Sequence, residues 1–224
     1  MRNQQPIKKR LNIIACLLSC GLLLEIAAGC ATQNYDRGAQ TSATINSAAS
    51  QSANLDAEIT ASLNALSALE YQSQGDLRTH YVKFSDAVEK LKTGFHQLND
   101  QITKAQSQAN AYLKNWDRRS SAIQNQQIRS ISNQQRQDIS DKLLSVNNEY
   151  EETETAIKPF MGDLTGVRTY LGTDLTRSGL SAISKVVSKT KADAVPLRNS
   201  LQKLQAHLTS LGATMSPVIS DAAK

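Results

Sequence analysis

The sequence predicts an all-α protein, an elongated antiparallel coiled-coil bundle of three to four long helices. Three observations predict it. Apolar residues recur at alternating steps of four and three in four separate stretches, the heptad signature of helices that lie against other helices. The 224-residue chain is 40 % hydrophobic but only 4 % aromatic, a composition that fills a long thin core more easily than a thick one. Helix-ending residues gather between the seams, at Gly75-Asp76, in the polar window 117–137 and at Gly172-Thr173-Asp174.

Residues 1–29 have the layout of an export signal. A basic segment from Met1 to Arg10 leads an apolar run from Leu11 to Leu24, and the small residues Ala27-Ala28-Gly29 lead into Cys30. Small side chains suit a peptidase cleft that takes the chain extended. The run Ile13–Leu24 is about 12 residues, short of the roughly 20 needed to cross a bilayer as a helix. This stretch resembles the leader of bacterial lipoproteins, whose lipobox ends in a small residue followed by cysteine. The resemblance implies that Cys30 becomes the lipidated first residue of the mature chain. Leu17-Leu18-Ser19-Cys20 is a competing box with a very short apolar core before it. Ala31, where an Asp would favour inner-membrane retention, points to the periplasmic face of the outer membrane.

Residues 30–40 are polar and without period, and read as a tether. A first helix follows at about 41–73, with the seam Ile45, Ala48, Ser52, Leu55, Ile59, Ser62, Leu66 and Leu69. Its small residues make it the most weakly packed of the four. Gly75 offers a C-cap and Asp76 an N-cap for the next helix. That second helix carries the longest seam: Leu77, Tyr81, Phe84, Val88, Leu91, Phe95, Leu98, Ile102, Ala105, Ala109, Tyr112 and Trp116. Beyond Trp116 the period fades, and the chain is expected to reverse within 117–137. A capping box at Ser132 places the third helix near 133.

The third seam runs through Ile139, Leu143, Val146, Tyr150, Thr153, Ile157, Phe160, Leu164, Val167 and Leu171. Its register passes Pro159 unchanged, so one kinked helix is expected. The fourth runs through Leu180, Ile183, Val187, Thr190, Ala194, Leu197, Leu201, Leu204, Leu208, Leu211 and Met215, again with a proline inside, Pro196. The bundle thus occupies 41–215 and a short tail 216–224.

From Tyr112 onward the chain resembles a family of uncharacterised bacterial envelope lipoproteins, a domain of unknown function. The resemblance lies in Trp116 within Tyr-Leu-Lys-Asn-Trp, in Ile128-Arg129-Ser130, and around Tyr150. It continues in Ile157-Lys158-Pro159-Phe160 and Tyr170-Leu171-Gly172-Thr173-Asp174-Leu175, and covers most of residues 77–213. It implies a helical periplasmic lipoprotein and supplies no activity or catalytic residue.

Composition excludes several classes of function. The three cysteines, Cys16, Cys20 and Cys30, all precede the body, which therefore has no internal disulfide, cysteine metal site or thiol nucleophile. Removing residues 1–29 takes away four basic residues and Glu25, lowering the net charge from +5 to about +2, so no nucleic-acid footprint is left. His80, His96 and His207 lack a second ligand at metal spacing. Glu149, Glu151, Glu152 and Glu154 read as a solvated face, and Gly162/Gly166 as incidental to packing. No nucleotide loop or nucleophile elbow occurs. The expectation is a non-enzyme without cofactor, metal or small-molecule substrate.

One stretch stands out. If Cys30 fixes one end of the bundle at a membrane, the elbow 117–137 returns to that side carrying Arg118, Arg119, Arg129 and Arg136 with Ile123, Ile128 and Ile131. Basic residues beside isolated apolar ones suit an anionic lipid surface. The functional expectation is an envelope-anchored scaffold or spacer, whose seams serve internal packing, self-association or a protein partner. The alternative is a binding module for a lipid surface or a partner helix.

Overall fold

The computed structural model describes residues 25–71 and 76–216, with side chains from residue 35 onward. Residues 1–24 of the expected leader, residues 72–75 and those from 217 onward lie outside the described residues. Those described form five helices: α1 Glu25–Tyr71, α2 Leu77–Ser120, α3 Gln126–Thr173, α4 Arg177–Ala182 and α5 Ser184–Met215. The chain divides into two compact units, 1–40 with 217–224, and 41–216. The described part of the first is the opening of α1. Residues 30–40, read from sequence as a tether, are helical there. They contain no proline, and one glycine is too weak a breaker to stop a helix that is already propagating.

The second unit is the bundle, and side-chain bonds define its order. α1 is tied to α5 by Ser42 Oγ, which donates to the Gly212 carbonyl at 2.8 Å, and by Ser52 Oγ, which donates to the Leu201 carbonyl at 3.0 Å. Arg198 forks onto Asp56 at 2.6 and 3.0 Å, and Lys191 pairs with Glu70. On its other side α1 reaches α2 through Gln51, which donates to the Gly94 carbonyl at 3.3 Å. α2 meets α3 through Tyr81, whose hydroxyl donates to the Arg168 carbonyl at 3.1 Å, and through Gln106, which donates to Asn147 at 2.9 Å. α3 meets α5 through Lys189, which bonds Asp163 at 2.8 Å, and Lys142, which bonds Thr214 at 2.6 Å. In three of these pairs rising numbers on one helix meet falling numbers on the other, and in the α1–α2 pair Gln51 meets Gly94 while Glu58 and Ala61 lie beside Lys83 to Lys90. The four long helices are therefore antiparallel neighbours in the cyclic order α1, α2, α3, α5.

The seams are the core. All eight positions of the first and all ten of the third are buried, as are Ile183 through Met215 of the fourth. The first helix is not the weakly packed member that its small residues suggest. Leu55, Ile59, Leu66 and Leu69 are completely buried, and Ser52 and Ser62 allow close approach while spending their hydroxyls on helix carbonyls. The second seam is buried from Phe84 to Ala109 except at Phe95, which is partly covered. Near its end the buried position passes to Leu113, with Tyr112 and Trp116 only partly covered.

The interruptions have local causes. α3 passes Pro159 and α5 passes Pro196 without ending. Both prolines sit on the exposed side, where water can solvate the carbonyl each leaves unpaired. Asp76 caps α2 as expected, accepting from the Arg78 amide at 3.0 Å. The fourth helix, expected to be continuous, is divided at Ile183, whose φ of −96° and ψ of 2° leave the helical well. Ahead of it, Gly179 passes so close to Asp174 that a Cβ would lie 2.4 Å from the Asp174 carbonyl oxygen. Only glycine fits that return.

Candidate functional site

Two polar features interrupt the bundle, the tip of the α2–α3 hairpin and a belt across its middle.

At the tip, the reversal is shorter than the polar window suggests. α2 continues to Ser120, residues 121–125 turn, and α3 starts at Gln126, not near 133. Its cap is Asn125, not Ser132. Asn125 Oδ1 accepts from the Gln127 and Ile128 amides at 3.0 and 3.1 Å. Helix persists through the polar window because side chains clamp the hairpin where no continuous apolar seam exists. Trp116 Nε1 donates to Ser132 Oγ at 2.9 Å, Ser120 Oγ donates to Asn133 Oδ1 at 2.8 Å, and Arg136 forks onto Asp117 at 3.0 and 3.2 Å. Tyr112 and Trp116 meet edge to face, with centroids 5.7 Å apart.

These clamps redistribute the seven elbow residues. Arg136 is spent on Asp117. Arg129 Nε donates to the Ile123 carbonyl at 2.8 Å, with Nη2 on the same oxygen, and so holds the turn together. Ile123 is half-buried. Arg118 and Arg119 occupy the exposed last turn of α2, where cations complement the helix dipole. Arg118 also reaches Asn115 Oδ1 at 3.4 Å. Ile128 and Ile131 are 54 % and 55 % exposed. Ile128 lies three and five helical turns before Ile139 and Val146, and so it prolongs the core seam. The expected single patch of arginines and isoleucines is therefore dispersed: two arginines are used inside the hairpin, and the isoleucines continue its apolar face.

On the outer side of the same hairpin is a groove of about 490 Å³, floored by Leu113 and Leu143 and edged by Leu144, Lys114, Asp117 and Asp141. Leu144 is largely exposed at its rim.

The belt was not foreseen from the sequence. Glu149, assigned there to a solvated face, is buried. It accepts from Ser200 Oγ at 3.0 Å, and Ser200 Oγ lies 2.8 Å from Thr153 Oγ1. The adjacent Tyr150 hydroxyl donates to Asn99 Oδ1 at 2.7 Å. Burial, with the Glu154 and Asp100 carboxylates adding to it, pushes the Tyr150 phenol up to about 12. With the Ser52 bond to Leu201, each of the four long helices contributes to this level. The signal available in the sequence was a set of polar residues at or beside seam positions: Ser52, Glu149, Thr153 and Ser200. Glu151 and Glu152 remain exposed as expected.

Other candidates separate. His96 is exposed, its ring tilted beside Phe95 at 6.3 Å, and His80 and His207 are partly buried on different helices. Among the described residues no group of three or more His, Cys, Asp or Glu side chains is placed to hold a metal. A Cβ at Gly162 or Gly166 would meet nothing within 4 Å, so these two residues face open space. No described helix is long and apolar enough to cross a membrane. Cys30 falls within α1, ahead of the residues whose side chains are described, and Cys20 lies outside the described residues.

Comparison with known protein families gives a match. A family described as protein of unknown function (DUF2959) matches residues 42–208, which takes in α1 from residue 42 as well as the region 77–208. No curated protein and no solved structure matches the chain. The chain belongs to the DUF2959 family of proteins of unknown function.

Proposed function

We propose that this protein is a lipid-anchored scaffold or spacer of the bacterial envelope, attached through Cys30 and acting through its helical bundle without catalysis. The observation that carries the reading is the pairing of a leader ending in Ala27-Ala28-Gly29-Cys30 with a body whose four seams are buried against one another. A chain that buries its own seams is a rigid element in need of placement, and an acylated N-terminal cysteine supplies placement. Several acyl chains hold a protein on a membrane where one chain is marginal. The periplasmic face of the outer membrane is the proposed address, from Ala31.

The test is Cys30→Ser in a bacterial host, followed by acyl labelling, mass measurement and membrane fractionation. The reading requires loss of label and release from the membrane fraction. A mass lowered only by the exchange of sulfur for oxygen, with unchanged fractionation, would sink it. Crosslinking in native membranes with Cys30 intact then identifies what the scaffold touches.

A second reading is a binding module for a partner helix, favoured by the exposure of Ile128 and Ile131 along the prolonged core seam. Ile128→Asp with Ile131→Asp would abolish crosslinking to such a partner, and an unchanged crosslink pattern excludes it. The lipid-surface version requires Arg118→Glu with Arg119→Glu to reduce flotation with anionic vesicles. Arg129 and Arg136 are unsuitable for that test because they hold the hairpin.

A further inference from the structure

We propose that Glu58 is a pH-dependent latch in the α1–α2 seam: its neutral carboxyl sits on Gly94, and its ionised carboxylate swings into the neighbouring groove beside Lys83 and Lys90. The seat is made by the absence of a side chain. A Cβ on Gly94 would lie 1.8 Å from Glu58 Oε2 and 2.8 Å from its carboxyl carbon, so the carboxyl fills volume that any other residue would occupy. Seated there, Oε2 is buried and has no hydrogen-bond partner. An undonated oxygen in such a contact is tolerable on a neutral carboxyl and costly on a carboxylate. Burial accordingly pushes Glu58 above the ordinary carboxylate range, while Lys90 pulls it partly back.

The alternative position adjoins the seat. A groove of about 240 Å³ is lined by Glu58, Ala61, Lys83, Asp86, Ala87 and Lys90. The two alanines leave the room, and the two lysines outweigh Asp86 in charge. These three charged groups, all from α2, line the groove with Glu58, and among the described residues neither α3 nor α5 lines it. A carboxyl whose value is raised by folding contributes stability fully present below its unfolded value and lost as pH rises through the raised one. α1 therefore holds α2 most firmly in mild acid and loosens toward neutrality.

The experiment is a carbon-13 titration of the Glu58 carboxyl in the full chain, its resonance assigned by its loss in Glu58→Gln. The expected midpoint lies above that of an ordinary glutamate. Gly94→Ala fills the seat and moves the midpoint down, whereas Lys90→Met removes one of the two groove cations and moves it up. A wild-type midpoint at the ordinary value, or one unmoved in Gly94→Ala, overturns the latch. Should Gly94→Ala fail to fold, denaturation of wild type and Glu58→Gln across the same pH range decides. The wild type must lose stability relative to the glutamine variant as pH rises, and a constant difference refutes the proposal.

Discussion

Ile59→Ala tests whether α1 is an equal member of the bundle. Ile59 is completely buried, one turn from Leu55 and with Ser62 on its other side. Truncation removes three carbon groups, about 2.4 kcal/mol of transfer free energy at about 0.8 per group. A partly relaxed cavity raises the loss to about 3–4 kcal/mol. Leu164→Ala on α3, equally buried, should cost a similar amount. If α1 were a loose strap, its local release would cap the loss well below that of Leu164→Ala. Urea denaturation of the full chain, followed by helical circular dichroism, reads both variants against wild type. Equal losses with an unchanged slope and a single transition are expected. A loss under about 1 kcal/mol for Ile59→Ala beside a full loss for Leu164→Ala, or an early separate transition, would refute the reasoning.

Three further outcomes follow. Asn125→Ala removes the acceptor of two α3 amides and should cost about 1 kcal/mol; amide exchange at 126–128 would accelerate, and unchanged exchange would mean that water caps the helix as well. The Thr79 hydroxyl, with the Arg78 and Thr79 amides, holds the Asp76 carboxyl below the usual range. Its support for the α2 N-terminus is thus present at neutral pH and lost as pH falls through that lowered value. Exchange of the first-turn amides of α2 should rise in acid, and Asp76→Ala should erase this dependence. Arg198→Ala, although it breaks a forked contact with Asp56, should cost less than about 1 kcal/mol because the pair is partly open to solvent; a loss above 2 kcal/mol in urea denaturation would contradict this.

The architecture was legible because a buried helical face repeats. Positions from Ile139 to Leu171 were readable one by one, since a seam tolerates polar residues only rarely. The hairpin tip was not, because its helices are held by pairs such as Trp116–Ser132 and Asp117–Arg136. Such pairs lie 16 and 19 residues apart in the chain and leave no period. The Ser132 capping box was a locally sound signal, but Asn125 stands earlier, and a helix once nucleated continues through Gln, Arg and Ser. Small seam residues were mistaken for weakness in α1, because a sequence does not reveal how closely a partner approaches. Nor could it reveal Glu149: flanked by exposed acids, it differs from them only in its angle around α3, which places it on Ser200. The expected leader and its cysteine rest on a sequence motif alone, and residues 1–24 lie outside the described residues.

The mid-bundle belt permits a sharper test than any apolar position, because removing one polar partner and replacing both have opposite consequences. Ser200→Ala deletes the hydroxyl that donates to Glu149 at 3.0 Å. The Glu149 carboxyl stays in its buried site, with the Lys203 ammonium 4.0 Å away. Leaving a buried acceptor without its donor costs about 1–3 kcal/mol. In Ser200→Ala with Glu149→Leu the orphan no longer exists and apolar volume fills its place, so most of that loss should return. The double-mutant cycle, read by urea denaturation, should show a coupling of about 1 kcal/mol or more. If Ser200→Ala costs nothing, water satisfies Glu149 and the belt is open to solvent. If the double variant is less stable than Ser200→Ala alone, Glu149 holds the interface through contacts other than Ser200, and the belt is a packing element, not a closed network.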